Sequence, residues 1–424
     1  MENTISVSFN TDILEEDSDV PLPSSKSISN RLLVMQHIAG RKFHLKNVST
    51  SDDTVLMREL LERIRDNEGS EREIELYVDN AGTVMRFLTA LLSFTDGEWL
   101  LTGNERMKNR PVAPLVDALR SLGANIEYVE TPNYPPIRIN GDKELCKIQN
   151  AAVEIDAALS SQFISAVMMI APMFQNGLHI TLYGTNKVSV PYIQMTASLM
   201  RSCGVKVEFI DNSNIFAEGR YSAPENPCIE SDWSAASYMY AFLALYGKGT
   251  LHLPHLYEDS VQGDKIIADW FEDFGIETTF NHDGIIAVKN SEEISRFPRS
   301  YDFTHHPDIA QTIAVVCAGL GLEVRITGIH SLKHKETDRI AAVFNELVRL
   351  GANVEYNAKY DELHIIGNSR NGLSINTKEP IRTYGDHRMA MAFATLAARY
   401  PCIKIENPEV VSKSFPDFWN VITK

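Results

Sequence analysis

PSSKSISNR, residues 23–31, is the stretch from which the fold of this chain is read most directly. Small hydroxyl residues surround two cations, Lys26 and Arg31, and the apolar run from Leu32 to Ala39 follows at once. This pattern is typical of a helix start whose first backbone N–H groups stay free to bind an anion. An ordinary polar cap with two solvated basic residues is the simpler interpretation, and the rest of the chain decides between the two.

Polar helix starts of this kind recur along the chain, and each is followed by a strongly apolar run. Between them, four predicted helices stop at a glycine and run into a β-rich segment. These glycines recur about every 70 to 80 residues, which predicts six copies of a helix–strand–helix–strand module whose terminal copies are the least regular. The helix starts lie at Ser27, Asp79, Ser160, Asp232, Pro307 and Gly385, and the glycines are Gly123, Gly204, Gly275 and Gly351.

The charges of the six helix starts are not alike. The first three are rich in Ser, Asn, Gly, Thr and Gln and have cations nearby, whereas each of the last three carries an aspartate. Asp232 is interpreted as an ordinary N-cap. We expect an α/β chain built of two half-chains with three modules each, and a boundary in the turn-rich segment Pro224–Pro227.

Composition narrows the class of protein. The chain has 424 residues, a formal net charge of -16 and a pI near 5.2, which argues against a general nucleic-acid binder. The five cysteines are scattered and lack C-x-x-C spacing, so reduced thiols and no metal site are expected. Neither a signal-peptide pattern nor a membrane-spanning run is found, so we expect a cytoplasmic protein without a membrane partner.

The densest polar segment is Lys333–Arg339. It follows a predicted strand end and opens a predicted helix, so Lys335 and Arg339, four residues apart, can point to one side, with Glu336 beside them. A charged helix start with local ion pairs explains the segment equally well in isolation. Neither a Walker A loop nor a G-x-G-x-x-G motif occurs, so nucleotide binding is not expected.

Cations gather at equivalent loops of the predicted repeat. An acidic protein that concentrates positive charge in this way is suited to bind multiply charged small anions. The carboxylates among these cations, Asp308 and Glu336, are then candidates for proton transfer. The eight cations are Lys26, Arg31, Arg86, Arg110, Lys335, Arg339, Arg388 and Lys413.

Motifs spanning almost the whole chain, in order, resemble the 5-enolpyruvylshikimate-3-phosphate synthase family (3-phosphoshikimate 1-carboxyvinyltransferases), which belongs to the enolpyruvyl transferases. The chain departs from the family pattern at Ser24, Phe87, Val190 and Ser331. The matching motifs are Ser25–Arg31, Asn80–Arg86, Leu101–Pro111, Ser160–Phe163, Pro191–Ile193, Pro307–Asp308, Lys335–Arg339, Asp386–Ala390 and Lys413–Pro416.

The resemblance implies a two-domain inside-out α/β barrel of six βαβαββ units, three per domain. It places one domain at residues 1–22 plus 228–424 and the inserted domain at residues 23–227. It also implies transfer of the enolpyruvyl group of phosphoenolpyruvate to the 5-hydroxyl of shikimate 3-phosphate, through a tetrahedral intermediate that expels phosphate. No metal or organic cofactor is implied, the partners are the two small substrates, and a monomer is expected.

Residue roles follow from the resemblance alone. It makes Glu336 the proton donor, Asp308 the proton acceptor and Lys26 a further catalytic residue. Shikimate 3-phosphate is held by Lys26, Ser27, Arg31, Ser160, Ser161, Gln162, Ser189, Tyr192, Asp308, Ser331 and Lys335. Phosphoenolpyruvate is held by Lys26, Asn80, Gly82, Thr83, Arg110, Gln162, Arg339, His387, Arg388 and Lys413.

Two rival functions fit the residues less well. The sister enzyme that transfers enolpyruvate to UDP-N-acetylglucosamine carries a Lys-Asn pair at the first helix and a loop cysteine. This chain has Lys26-Ser27 and no cysteine between Met107 and Pro111. A non-catalytic sensor of phosphorylated metabolites needs the cations but neither the acid nor the base, and both Asp308 and Glu336 are present.

Overall fold

The computed structural model describes residues 3–16, 18–40, 43–184, 187–290, 294, 297, 299–367, 372–375, 379–401 and 403–424. The chain folds into two compact units. The C-terminal unit comprises Met1–Ser25, Thr50–Asp52 and Glu230–Lys424. The inserted unit comprises Lys26–Ser49 and Asp53–Ile229.

The strands are short and alternate with helices, as the predicted repeat requires. They are β1 (Thr4–Val7), β2 (Glu73–Tyr77), β3 (Gly97–Thr102), β4 (Asn125–Tyr128), β5 (Ile137–Gly141), β6 (Ala152–Asp156), β7 (Leu178–Tyr183), β8 (Lys206–Phe209), β9 (Asn214–Glu218), β10 (Gly249–Pro254), β11 (Glu277–Asn281), β12 (Gly284–Lys289), β13 (Arg299–Asp302), β14 (Val324–Thr327), β15 (Asn353–Asn357), β16 (Glu362–Ile366) and β17 (Ile403–Glu406).

The α-helices are α1 (Lys26–Ile38), α2 (Asp52–Asn67), α3 (Gly82–Ser93), α4 (Glu105–Lys108), α5 (Ala113–Ser121), α6 (Ser161–Ile170), α7 (Val190–Ser202), α8 (Trp233–Tyr246), α9 (Ile267–Trp270), α10 (Ala310–Leu320), α11 (Arg339–Arg349), α12 (His387–Ala394) and α13 (Phe418–Ile422). Short 3-10 helices lie at Thr11–Leu14, Lys143–Lys147, Ala171–Met173, Gly263–Ile266, Phe271–Phe274, Pro307–Ile309, His330–His334, Thr395–Ala398 and Pro408–Lys413.

Three sheets share one topology. Their strand orders are β2-β3-β5-β4, β6-β7-β9-β8 and β13-β14-β16-β15. In each, the first two strands pair in parallel across a helix, and the remaining pairs are antiparallel. This is the βαβαββ module, because a parallel pair needs a crossover connection whereas antiparallel neighbours need only a turn.

The other copies of the repeat are reduced. One forms the three-stranded sheet β10-β12-β11, and the last contributes β17, which pairs antiparallel with β1. In the first copy, Lys46 makes an isolated bridge to Cys228. The described strands thus form five open sheets rather than a closed barrel, and the terminal copies are the least regular.

The four predicted glycine stops are confirmed. Gly123, Gly204, Gly275 and Gly351 all have φ between 75° and 93°. Only a residue without a Cβ adopts this left-handed conformation at little cost, so each helix can end and turn directly into the next strand.

Each unit is built around helices that are apolar on nearly all sides. In the inserted unit α1, α3, α6 and α7 pack together, and in the C-terminal unit α8, α10 and α12 do so. Almost every residue of α3 and α10 is buried. Such helices are stable only inside a core, and a fully buried side chain such as Phe87 contributes about 1.5–3 kcal/mol.

Three further features bear on the class of protein. No helix in the described part of the chain is long and apolar enough to cross a membrane. No group of His, Cys, Asp and Glu side chains among the described residues is arranged to hold a metal ion. Cys146, Cys203, Cys228 and Cys317 are free thiols, and Cys402 lies outside the described residues.

Candidate active site

Arg339 is the centre of a charged cluster in the C-terminal unit. Its side chain is only 2% exposed, yet it contacts three carboxylates. One terminal nitrogen lies 3.1 Å from Oδ1 of Asp308, the other lies 2.7 Å from Oε2 of Glu336, and Nε lies 2.7 Å from Oδ2 of Asp386. The two predicted proton-transfer carboxylates are therefore held on one guanidinium.

Asp308 also contacts two more cations. Arg388 lies 3.0 Å from Oδ2, and Lys335 lies 3.6 Å from Oδ1. Burial acts to raise the pKa of the Asp308 carboxyl, but the charges of Arg388, Lys335 and Arg339 outweigh it and hold that pKa well below its usual range. Asp308 is therefore held as an ionised carboxylate in the folded protein.

The start of helix α11 explains how Arg339 and Lys335 reach the cluster. Helix α11 begins at Arg339, where Asp338 caps it by accepting the N–H of Ala341 at 3.1 Å. Lys335 lies before the helix in an extended conformation. The prediction that Lys335 and Arg339 share a helical face is therefore wrong. They meet instead because both contact Asp308.

Asp386 caps helix α12 and joins it to the cluster. Its carboxylate accepts the N–H of Arg388 at 2.8 Å and also binds Arg339. His387 is buried, with Nδ1 3.5 Å from Oδ1 of Asp386. Two of the three cations around Asp308 are thus tied to the same buried aspartate, Arg339 through its guanidinium and Arg388 through its backbone N–H.

Two predicted residues of this unit lie on 3-10 helices. Ser331 is largely buried in the 3-10 helix His330–His334, and Lys413 ends the 3-10 helix Pro408–Lys413. Among the described residues Ser331 forms no side-chain hydrogen bond, so the structure does not tie it to the Arg339 cluster.

The inserted unit holds its central cation differently. Arg31, on α1, is 2% exposed. It donates to Oγ1 of Thr196 at 2.7 Å, to Oγ of Ser165 at 3.2 Å and to the carbonyl of Ser27 at 2.9 Å. Its guanidinium also lies 5.8 Å from the centre of the Tyr192 ring. All of these partners are neutral.

This setting leaves positive charge uncompensated. Burial lowers the pKa of the Arg31 guanidinium to about 10, against a smaller opposing effect of Tyr192. No carboxylate in the described part of the chain pairs with Arg31. A buried cation of this kind is stabilised by an incoming anion.

Gly82 is the first residue of helix α3, and two further cations, Arg86 and Arg110, lie beside it. Arg86 donates to its carbonyl at 3.1 Å, and Arg110 donates to the carbonyl of Asn80 at 3.1 Å and to its Oδ1 at 3.2 Å. A Cβ on Gly82 would lie 2.5 Å from Arg110 and 2.6 Å from Arg86. The glycine is needed here because it lets both guanidinium groups reach the helix start.

The remaining polar residues of this unit link neighbouring helix starts. Ser160 caps α6 by accepting the N–H of Gln162, and Gln162 donates to Oγ1 of Thr83 at 3.2 Å. Ser161 is the first residue of α6. Ser189 precedes α7 with a φ of 55°, in the left-handed region.

Lys26 starts α1 and forms an ion pair with Asp53, 3.1 Å away on α2. Asp53 is one of several contact residues that sequence reasoning missed. Ser165 and Thr196 are two others. They lie four residues after Ser161 and Tyr192, on the same helices, so α-helical spacing from the predicted residues would have found them. No comparable signal marked Asp53.

Comparisons with known proteins identify the family of this chain. Residues 15–422 match the family model described as EPSP synthase (3-phosphoshikimate 1-carboxyvinyltransferase). A 3-phosphoshikimate 1-carboxyvinyltransferase of Bacteroides fragilis is 41% identical, covering 96% of this chain and 94% of that protein. One from Vibrio vulnificus is 36% identical, covering 96% of each.

Solved structures support the fold. An EPSP synthase from Acinetobacter baumannii superposes with a TM-score of 0.71 at 20% identity, covering 99% of this chain and 97% of the other. The mixed α/β architecture and the family resemblance predicted from the motifs are both confirmed. The chain belongs to the EPSP synthase family, the 3-phosphoshikimate 1-carboxyvinyltransferases.

Proposed function

We propose that this chain carries out the reaction of its family through the residues of the two clusters. In that reaction the enolpyruvyl group of phosphoenolpyruvate passes to the 5-hydroxyl of shikimate 3-phosphate, and phosphate is released. The observation that carries the proposal is the placement of Asp308 and Glu336 on the single guanidinium of Arg339. An acid and a base held together beside several cations suit a reaction that passes through an anionic intermediate.

In this proposal Asp308 takes the proton of the attacking hydroxyl, and Glu336 protonates the methylene carbon of phosphoenolpyruvate. Asp308 begins the cycle as a carboxylate because three cations surround it. Glu336 must carry a proton before it can donate one. An anionic substrate that competes for the charge of Arg339 would raise the proton affinity of the carboxylate that Arg339 binds.

Substrate contacts are proposed for each unit separately. From the C-terminal unit, Asp308, Ser331 and Lys335 would contact shikimate 3-phosphate, and Arg339, His387, Arg388 and Lys413 would contact phosphoenolpyruvate. From the inserted unit, shikimate 3-phosphate would contact Lys26, Ser27, Arg31, Ser160, Ser161, Gln162, Ser189 and Tyr192. From the same unit, phosphoenolpyruvate would contact Lys26, Asn80, Gly82, Thr83, Arg110 and Gln162, and Lys26 would also assist catalysis.

The domain boundaries, at residues 1–22 plus 228–424 and at residues 23–227, belong to the same proposal. So do a monomeric state and a cytoplasmic location. Light scattering on the purified protein would test the monomer, with a dimer mass as the contrary result.

The direct test is phosphate release from phosphoenolpyruvate by the purified protein. Release is expected with shikimate 3-phosphate as acceptor and not with UDP-N-acetylglucosamine. Tight binding of both substrates without release would contradict the enzymatic function.

Arg31→Lys tests the assignment of the acceptor site, because a lysine keeps the charge but loses the planar fork of donors. We expect the KM for shikimate 3-phosphate to rise about tenfold or more, with a smaller change in the KM for phosphoenolpyruvate. An unchanged KM for shikimate 3-phosphate would remove Arg31 from that site.

A further inference from the structure

The segment that precedes helix α12 adopts a strained turn. The N–H of Asp386 donates to the carbonyl of Thr383 at 2.9 Å, which closes a four-residue turn. Both central residues have positive φ, 55° at Tyr384 and 68° at Gly385. Glycine adopts this conformation readily, but tyrosine does so only when other contacts hold it there.

One buried carboxylate supplies those contacts. Glu346, 1% exposed on α11, accepts the Tyr384 hydroxyl at 2.9 Å and the backbone N–H of Arg382 at 3.2 Å. It is itself held by Arg349, whose Nε lies 3.1 Å from Oε2. Arg349 in turn donates to the carbonyl of Pro380 at 2.7 Å. The segment before the turn and the turn itself are therefore both fixed to α11.

Glu346 and Arg339 lie on the same face of α11. They are seven residues apart, which is close to two helical turns, or about 10 Å along the axis. Arg339 binds Asp386 at the end of the turn, and Glu346 binds Tyr384 within it. Helix α11 thus holds the segment 382–386, just before Arg388, through two side chains, Arg339 and Glu346.

We propose that Glu346 and Tyr384 are positioning residues that set the orientation of Asp386 and Arg388 for phosphoenolpyruvate binding. The inference rests on the proposed function, since that is where Arg388 is assigned to phosphoenolpyruvate. Neither Glu346 nor Tyr384 contacts substrate in this view. They act by holding the turn that places Asp386 against Arg339 and Arg388 in position to bind phosphoenolpyruvate.

The central variant is Tyr384→Phe, which removes one hydroxyl and keeps the ring. Two measurements are made on the full-length protein. Amide hydrogen exchange of residues 383–388 without substrate reports the turn itself, and steady-state kinetics report its effect. We expect faster exchange of the Asp386 amide and a KM for phosphoenolpyruvate about tenfold higher. The KM for shikimate 3-phosphate should change less than twofold, and Tm should stay close to that of the wild type.

Two further variants make the test specific. Tyr384→Asn introduces a residue that tolerates the left-handed conformation. Its KM for phosphoenolpyruvate should therefore lie between that of the wild type and that of Tyr384→Phe. Glu379→Gln is the matched control, because Glu379 pairs with the same Arg349 at 3.2 Å but is exposed. We expect this control to behave like the wild type.

Unchanged exchange at Asp386 in Tyr384→Phe would overturn the proposal. Faster exchange with an unchanged KM for phosphoenolpyruvate would overturn it equally. Arg388→Lys separates this failure from a failure of the proposed function. If Arg388→Lys raises the KM for phosphoenolpyruvate and Tyr384→Phe does not, only the positioning role is wrong. If neither does, the assignment of Arg388 to phosphoenolpyruvate is wrong as well.

Discussion

The two units handle a buried arginine in opposite ways. In the C-terminal unit, Arg339 is matched by three carboxylates. In the inserted unit, Arg31 is equally buried, and its partners in the described part of the chain are hydroxyls, a carbonyl and aromatic rings. The charge of Arg339 is therefore matched within the protein, whereas Arg31 has no negative partner among the described residues.

The difference indicates a division of labour. A charge-matched cluster holds its carboxylates in fixed positions, which suits proton transfer. An unmatched buried cation lowers the stability of the free protein but strengthens binding of an anion, because the ligand supplies the missing charge. The predictions that follow test this contrast, beginning with the largest effect.

Glu336→Gln should affect catalysis most. The change keeps the size of the side chain and its oxygen facing Arg339 but removes the group that can donate a proton. We expect kcat to fall about 100- to 10,000-fold, while the dissociation constants of both substrates change little. Rapid-quench kinetics and calorimetric titration would measure the two effects.

Glu362→Gln is the control, since Glu362 pairs with the half-exposed Arg325 and not with Arg339. Turnover by Glu336→Gln at the wild-type rate would show that Glu336 is not the acid.

Replacing each buried arginine by methionine tests the comparison directly. Arg339→Met removes the guanidinium that three carboxylates share, and only Asp308 keeps the other cations named above, Arg388 and Lys335. The free energy of unfolding should therefore fall by about 3–5 kcal/mol. Arg31→Met removes an unmatched cation, and Thr196 keeps its bonds to Ser165 and to the carbonyl of Tyr192. We expect Arg31→Met to change the free energy of unfolding by less than about 1 kcal/mol.

Urea unfolding without substrates gives both values, and Arg325→Met on the surface provides the baseline. Equal destabilisation by Arg31→Met and Arg339→Met would refute the contrast between the two clusters.

Gly82→Ala tests the role of Arg86 and Arg110, the two cations at the start of α3. The added methyl group must displace the guanidinium groups of Arg110 and Arg86. Gly82 has no positive φ, and alanine suits a helix better than glycine, so stability should be kept or slightly raised. We expect the KM for phosphoenolpyruvate to rise about tenfold with a smaller change in kcat. An unchanged KM would mean that this helix start does not bind phosphoenolpyruvate.

The charge-matched cluster should also affect how the free energy of unfolding depends on pH in acid. The pKa of Asp308 is lowered in the folded protein, so its ionisation contributes stability above the unfolded-state pKa of about 3.9. That contribution is lost as the pH falls below about 4 towards the lower folded pKa. We expect the free energy of unfolding of the wild type to fall more steeply below pH ~4 than that of Asp308→Asn. Parallel pH profiles would contradict the lowered pKa.

Much of the architecture could be predicted from the sequence because its signals are local. A glycine stop needs only a left-handed residue after a helix, and the polar helix starts need only capping residues before an apolar run. The repeat of these signals predicted the modules, and the order of the motifs predicted the family. The same local reasoning failed at Lys335, because an i, i+4 spacing has meaning only inside a helix and α11 begins later, at Arg339.

By itself, then, the sequence determined the helix starts, the glycine stops, the family and which charged residues to consider for the candidate site. Only the tertiary structure decided which charges are matched. Arg339 meets Asp308 and Asp386 from 31 and 47 residues away, and Arg31 meets Ser165 and Thr196 from more than a hundred. Side-chain periodicity describes the faces of one element and carries no information about which faces pack together. For that reason the third carboxylate of Arg339 and the turn held by Glu346 emerged only from the folded chain.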